Sequence, residues 1–96
     1  MLTGKQRAVL RAMANGLEPI AQVGKQGATP EQVQSLDEAL EARELIKIAV
    51  LRNCADAPNA VAETLAGRTR AEVVQVIGNK FVLYRKSRTK PGIEVK

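Results

Sequence analysis

The stretch Ile20-Ala21-Gln22-Val23-Gly24-Lys25-Gln26-Gly27-Ala28-Thr29-Pro30-Glu31-Gln32, with Leu45-Ile46-Lys47-Ile48-Ala49-Val50-Leu51 beyond it, decides the fold class. Ile20–Val23 is a short apolar run bounded by Pro19 and Gly24, which reads as a strand. Thr29 has the side chain of an N-cap, Pro30 suits the first helical turn, and Gln32 has capping-box spacing from Thr29. Val33, Leu36, Ala39 and Leu40 then form an apolar stripe at helical spacing. From Leu45 the period changes to two. Ile46, Ile48 and Val50 share one face and Lys47 and Ala49 the other, as in a strand. Two strands joined by a helix form a β-α-β unit, so the pair is expected to be parallel.

The same reasoning extends outward. Thr3 and Gln6 have capping-box spacing and open a helix expected to carry Val9, Leu10 and Met13 on one face, with Gly16 as its left-handed stop. Asp56-Ala57-Pro58 opens a third helix bearing Val61 and Leu65, expected to close at Gly67. Val73–Ile77 and Lys80–Arg85 read as strands. Gly78-Asn79 between them suits a two-residue antiparallel hairpin. The order is α-β-α-β-α-β-β, which predicts an α/β (α+β) domain: one mixed four-stranded sheet with helices packed on it. Strand order is left open. Residues 1–86 form a single domain, and 87–96 a basic tail expected to be flexible.

The 96 residues carry a net charge of +5, and it is unevenly placed. Residues 1–79 contain nine basic and nine acidic side chains. Residues 80–96 contain Lys80, Arg85, Lys86, Arg88, Lys90 and Lys96 against Glu94 alone. Such asymmetry points to an anionic partner. The helix from Pro30 is the opposite case, because Glu31, Asp37, Glu38, Glu41 and Glu44 face one Arg43. A nucleic-acid backbone is expected to avoid it.

Composition also excludes. The chain has no histidine and one cysteine, Cys54, so a Cys/His zinc site, an intramolecular disulfide and histidine-dependent nucleophiles are impossible. Cys54 is expected to be a packed side chain. No metal, cofactor or small-molecule substrate is indicated, and no pair of carboxylates has recognisable catalytic spacing, so the chain reads as a non-enzyme. No apolar run is long enough to cross a bilayer, and a cytoplasmic location is the default. Aromatic residues make up 2% of the chain, Phe81 and Tyr84 only. Modules that stack bases on ring platforms are therefore disfavoured.

Gly24-Lys25-Gln26-Gly27 is the segment that suggests binding. Two glycines let the backbone approach a ligand, the following helix directs its N-terminus at the loop, and Lys25 adds charge. The spacing matches neither a P-loop nor a dinucleotide fingerprint. A structural turn would need the same glycines, so the loop alone leaves both readings open.

Four stretches together resemble a known family: Leu2-Thr3-Gly4-Lys5-Gln6-Arg7 with Leu10-Arg11; Pro19 to Gly27; Glu44-Leu45-Ile46-Lys47-Ile48; and Val76-Ile77-Gly78 followed by Val82-Leu83-Tyr84-Arg85. The chain resembles the CRM (chloroplast RNA splicing and ribosome maturation) domain in its stand-alone bacterial YhbY-type form. That resemblance implies a fold similar to the C-terminal domain of translation initiation factor three. It implies RNA binding and, for the bacterial form, association with ribosomal RNA in precursors of the large ribosomal subunit. The family's G-x-x-G loop falls on Gly24, Lys25, Gln26 and Gly27, with Thr29 at the helix start. Its basic surface falls on Lys5, Arg7, Arg11, Lys47, Arg85 and Lys86. Ala28, Asn15 and Ala49 depart from the usual pattern, and Ala49 removes a lysine from the second strand.

The competing expectation is a protein-interaction module that docks a ribosomal protein or assembly factor through the acidic helix 30–43. DNA binding lacks support from any recognition-helix motif.

Overall fold

The computed structural model describes residues 2–89 and 91–93. The elements follow the expected order: α1 (Gly4–Ala14), β1 (Ala21–Val23), α2 (Pro30–Arg43), β2 (Leu45–Val50), α3 (Pro58–Thr69), β3 (Glu72–Ile77) and β4 (Lys80–Tyr84). They form one four-stranded sheet in the order β1-β2-β4-β3. β1 pairs parallel with β2, Ala21 opposite Ile48 and Val23 opposite Val50. β2 and β3 each pair antiparallel with β4. Gly78, at φ +57°, and Asn79 make the hairpin turn between Ile77 and Lys80. The pairing of β3 shifts between Val73 and Gln75, which leaves Val74 as a bulge.

Alternation along the strands sorts the sheet into two faces. Ile46, Ile48, Val50, Phe81 and Leu83 face α2 and α3, where they pack with Leu36, Leu40, Val61 and Leu65. Leu45, Val82, Tyr84 and Val74 face Leu10 and Ala14 of α1. The result is a three-layer sandwich, two helices on one side and one on the other. Each large side chain buried in this way contributes about 1.5–3 kcal/mol. The sheet is therefore held chiefly by the face that carries α2 and α3.

Three helix readings need correction. Val9 and Met13 are exposed, while α1 turns Leu10 and Ala14 inward. A single helix on a twisted sheet needs only a narrow stripe, and Leu10 and Ala14, four apart, supply it. Gly16 is not the left-handed stop, because the C-cap is Asn15 in right-handed helical conformation. α3 runs through Gly67 and ends at Arg70, whose φ of 59° is left-handed. Its burial of Thr69, with the hydroxyl donating to the Leu65 carbonyl at 2.7 Å, extends the helix past the glycine.

Candidate nucleic-acid interface

The Gly24–Gly27 loop sits at the C-terminal end of β1. Its turn closes through the Gly27 N–H donating to the Gly24 carbonyl at 3.0 Å. Gly27 has φ +68°, so a side chain there is strained whatever space it finds. Gly24 is different. A Cβ at Gly24 would meet Leu51 Cδ1 at 3.4 Å and Asn53 Oδ1 at 3.5 Å, ordinary contact distances. Gly27→Ala is therefore expected to cost about 1 kcal/mol of stability, and Gly24→Ala much less. Paired thermal melts of the two variants check this. Equal losses would contradict the assigned backbone roles.

The helix behind the loop is capped as expected, with one change. Thr29 Oγ1 accepts the Gln32 N–H at 3.1 Å, but the Gln32 side chain does not return to Thr29. Its Nε2 donates to the Gln22 carbonyl at 2.9 Å and ties α2 to β1. By contrast, Thr3 and Gln6 complete both halves of the box at α1. The capping has a consequence for anion binding. Pro30 has no N–H, Gln32 N–H goes to Thr29 Oγ1, and Val33 N–H goes to the Thr29 carbonyl. The missing Pro30 donor and the engaged Gln32 donor leave the helix N-terminus with fewer groups to offer an anion, so the loop itself and Lys25, which is exposed, carry more of the polar character.

The surroundings of the loop were not legible in the sequence. The Leu51 N–H donates to the Val23 carbonyl at 2.8 Å, which brings the loop after β2, with exposed Arg52, alongside. Val50 joins the hairpin through its N–H to the Asn79 carbonyl, and Asn79 Nδ2 donates to the Val50 carbonyl at 3.2 Å. Arg68 near the end of α3 donates to the Ala28 carbonyl at 3.2 Å. Arg52 and Arg68 thereby come from segments that bond next to the loop, while Lys80 follows Asn79 in the hairpin bonded to Val50 and lies on the α1 side of the sheet. Only Lys25 has a local signal, its glycines.

The other predicted cations divide. Lys5 and Arg11 are exposed on α1. Arg7 Nε donates to the Val73 carbonyl at 3.3 Å, and its guanidinium lies 3.6 Å from Glu72. Lys47 is half-buried on the α1 face of the sheet. Arg85 follows the far end of β4, about 17 Å along the strand from the hairpin. Its side chain is 10% exposed and pairs with Asp37, with Glu41 at 3.5 Å. It also donates to the Thr69 carbonyl at 2.9 Å and to the Asp37 carbonyl at 3.1 Å. The expectation that Arg85 faces outward as an RNA contact is corrected: these carboxylates and carbonyls draw it inward. Lys86 beside it is exposed, at the end of the sheet opposite the glycine loop.

The acidic helix uses its carboxylates on the chain itself. Glu44, expected on the outward face, is buried at 2% exposure and has φ 67°. It accepts N–H groups from Ser87 at 2.8 Å, Gly92 at 2.6 Å and Ile93 at 2.8 Å. Glu41 accepts the Ser87 and Thr89 hydroxyls and the N–H groups of Arg88 and Thr89. The segment expected to be a loose tail is thus anchored at residues 87–89, 92 and 93, because two carboxylates satisfy its backbone donors. Lys90, Glu94 and Lys96 lie outside the described residues.

Hydrogen bonds from the Thr89 and Ser87 hydroxyls, then from the Arg88 N–H, hold the Glu41 carboxyl down at about 2. Burial pushes Glu44 up, but the N–H groups of Ser87, Gly92 and Ile93, with the charge of Lys86, leave it below its ordinary value. A carboxyl depressed in the folded state stabilises above its unfolded pKa, and that stabilisation is lost as pH falls through the folded value. The anchoring is therefore expected to be complete above pH 4.5, the ordinary value, and to fail toward pH 2. Amide resonances of Arg88 and Thr89, whose N–H groups bond Glu41, should move together in that window when followed by NMR. Movement near neutrality instead would contradict the assignment.

With this geometry in place, comparison with known proteins identifies the class: residues 2–85 match the CRS1/YhbY (CRM) domain, and the chain belongs to that family. It is 50% identical over 95 residues to the Bacillus subtilis protein named Probable RNA-binding protein YqeI, covering 99% of both chains. A Haemophilus influenzae RNA-binding protein is 33% identical over 86 residues, covering 90% of this chain and 87% of the relative. A solution structure of a Staphylococcus aureus protein, 47% identical, superposes with a TM-score of 0.84 over 100% of both chains.

Proposed function

We propose that this protein binds RNA without catalysis, contacting ribosomal RNA in precursors of the large ribosomal subunit as a cytoplasmic assembly factor. The observation that carries the reading is the Gly24–Gly27 loop. It places an exposed lysine and a glycine-lined backbone at the end of β1, with Arg52, Arg68 and Lys80 on the neighbouring segments. The named relatives support RNA as the partner, and the bacterial YhbY-type resemblance supplies the ribosomal assignment. Lys25 and the loop backbone at Gly24, Gln26 and Gly27 take the first phosphates. Thr29 acts by fixing the helix behind them. Lys47, Arg11 and Lys5 extend the track across α1 and its face of the sheet, and Lys86 lies apart from it.

Phosphate contacts position RNA more than they select a sequence, so this surface acts first as a backbone clamp. No cofactor or metal enters the mechanism, and no histidine is present to act as a base. Docking of a protein partner through helix 30–43 is the weaker reading, since Asp37 pairs with Arg85 and Glu41 holds Ser87 and Thr89, which leaves Glu31 and Glu38 as its exposed acidic side chains. Crosslinking in cells, followed by sequencing of the recovered RNA, tests the reading. Enrichment of large-subunit ribosomal RNA is expected, and recovery of mainly messenger RNA without ribosomal enrichment would overturn it.

A further inference from the structure

α1 covers only part of its face of the sheet. Beyond its C-cap, Asn15, the sheet surface between β2 and the β3–β4 hairpin is open and forms a cleft of about 390 Å³. Its volume falls within the roughly 300–1,000 Å³ typical of small-molecule sites. The lining is unlike the rest of the surface. Three carboxamides, Asn15, Gln75 and Asn79, converge with two lysines, Lys47 and Lys80, and none of the lining residues is acidic. The apolar part is Val82, which is buried, and Ile77, which is 61% exposed at the lip. An isoleucine so exposed is costly in water and gains by being covered.

We propose that this cleft holds one unstacked base of a bound single strand, a further site that rests on the RNA reading above. Each carboxamide offers a paired donor and acceptor, the pattern that reads base edges. Asn79 commits its Nδ2 to the Val50 carbonyl, which keeps its Oδ1 as an acceptor. Ile77 and Val82 supply an apolar surface for the base plane in place of an aromatic ring. Lys47 and Lys80 neutralise the flanking phosphates.

The site is continuous with the glycine loop. Asn79 bonds to Val50, and the next residue, Leu51, bonds to Val23 just before Gly24. From β1 to β3 the sheet spans three strand spacings, about 14 Å. One strand of RNA can therefore engage Lys25 at one end and the cleft at the other. The scarcity of aromatic side chains then limits stacking without forbidding base selection, because the carboxamides do the reading.

The test is fluorescence anisotropy with labelled octamers of A, C and U and an octamer with abasic sites at its centre. Wild type is expected to prefer one homopolymer by at least about fivefold and to bind the abasic octamer more weakly. Asn15→Ala with Gln75→Ala should reduce that preference below about twofold while leaving the salt slope unchanged. Lys47→Gln with Lys80→Gln should instead make the log–log salt slope shallower by about 1.4, at roughly 0.7 per contact for a single strand. Thermal melts confirm that each variant is folded. Equal affinity for all octamers, or a preference that survives the carboxamide variant, would overturn the proposal while the backbone clamp stands. Failure of wild type to bind any octamer would overturn both.

Discussion

Replacing Lys25 with glutamate is expected to lower RNA affinity by about 30- to 150-fold at physiological salt, which corresponds to roughly 2–3 kcal/mol. The substitution removes one attraction to phosphate and installs one repulsion. Each is worth about 1 kcal/mol or somewhat more at a surface, where the effective dielectric lies between that of water and the protein interior. Wild type, with about five to eight phosphate contacts, should show a log–log salt slope near −4 to −7, and the variant a slope shallower by about one. The side chain is exposed, so the melting temperature should hardly change. Gly24→Ala complements it: the fold accommodates the methyl at van der Waals distance from Leu51 and Asn53, so an affinity loss there would report close approach of RNA backbone. Unchanged affinity in Lys25→Glu would remove the loop from the mechanism.

The second large effect falls on stability. Arg85→Met should destabilise the protein by about 2–4 kcal/mol, because it strips the partner from Asp37 and Glu41 and leaves the Thr69 carbonyl without its guanidinium donor. Two features keep the loss below that of a fully buried pair. The Asp37 side chain is 54% exposed, so water screens part of its charge. Arg85 Nε is buried without a hydrogen-bond partner, a cost that methionine relieves. For a chain of this size the loss amounts to a fall of about 10–25 °C in melting temperature. RNA affinity of the folded variant should stay within about twofold of wild type. A tenfold loss of affinity with an unchanged melting temperature would return Arg85 to the binding surface.

Arg85 shows where a sequence stops being informative. Its run, Leu83-Tyr84-Arg85-Lys86, reads as a strand end with two surface cations, and Lys86 fulfils that reading. Arg85 turns inward because Asp37, 48 residues earlier, lies across from it, and no local pattern encodes that encounter. Glu44 is a parallel case. Its helical neighbours suggest a solvated acidic face, yet it leaves the helix at positive φ and collects three backbone N–H groups. The same tertiary fact accounts for the anchored segment after β4, which composition alone marks as a tail.

The elements themselves were legible because they rest on short-range physics. The Thr3 and Thr29 caps, the alternation through Ile46–Val50 and the Gly78-Asn79 turn each act within a few residues. Helix ends were less legible, since Gly16 and Gly67 resemble stops while packing decides where each helix finishes. At the site, Gly24–Gly27 and Lys25 carried their own signal. Arg52 and the carboxamide cleft did not, because strand order sets their neighbours and the sequence left strand order open; Arg68 reaches the loop from α3 through the Ala28 carbonyl.

In the proposed mechanism RNA backbone lies against the Gly24–Gly27 loop. Ultraviolet crosslinking of the purified protein to a bound RNA octamer, followed by mass spectrometry of the peptides, tests it most directly. Adducts are predicted on Lys25 and Gln26, with further adducts at the hairpin around Lys80. Adducts confined to α2 or to Arg85–Thr89, with the loop peptide unmodified, would contradict it.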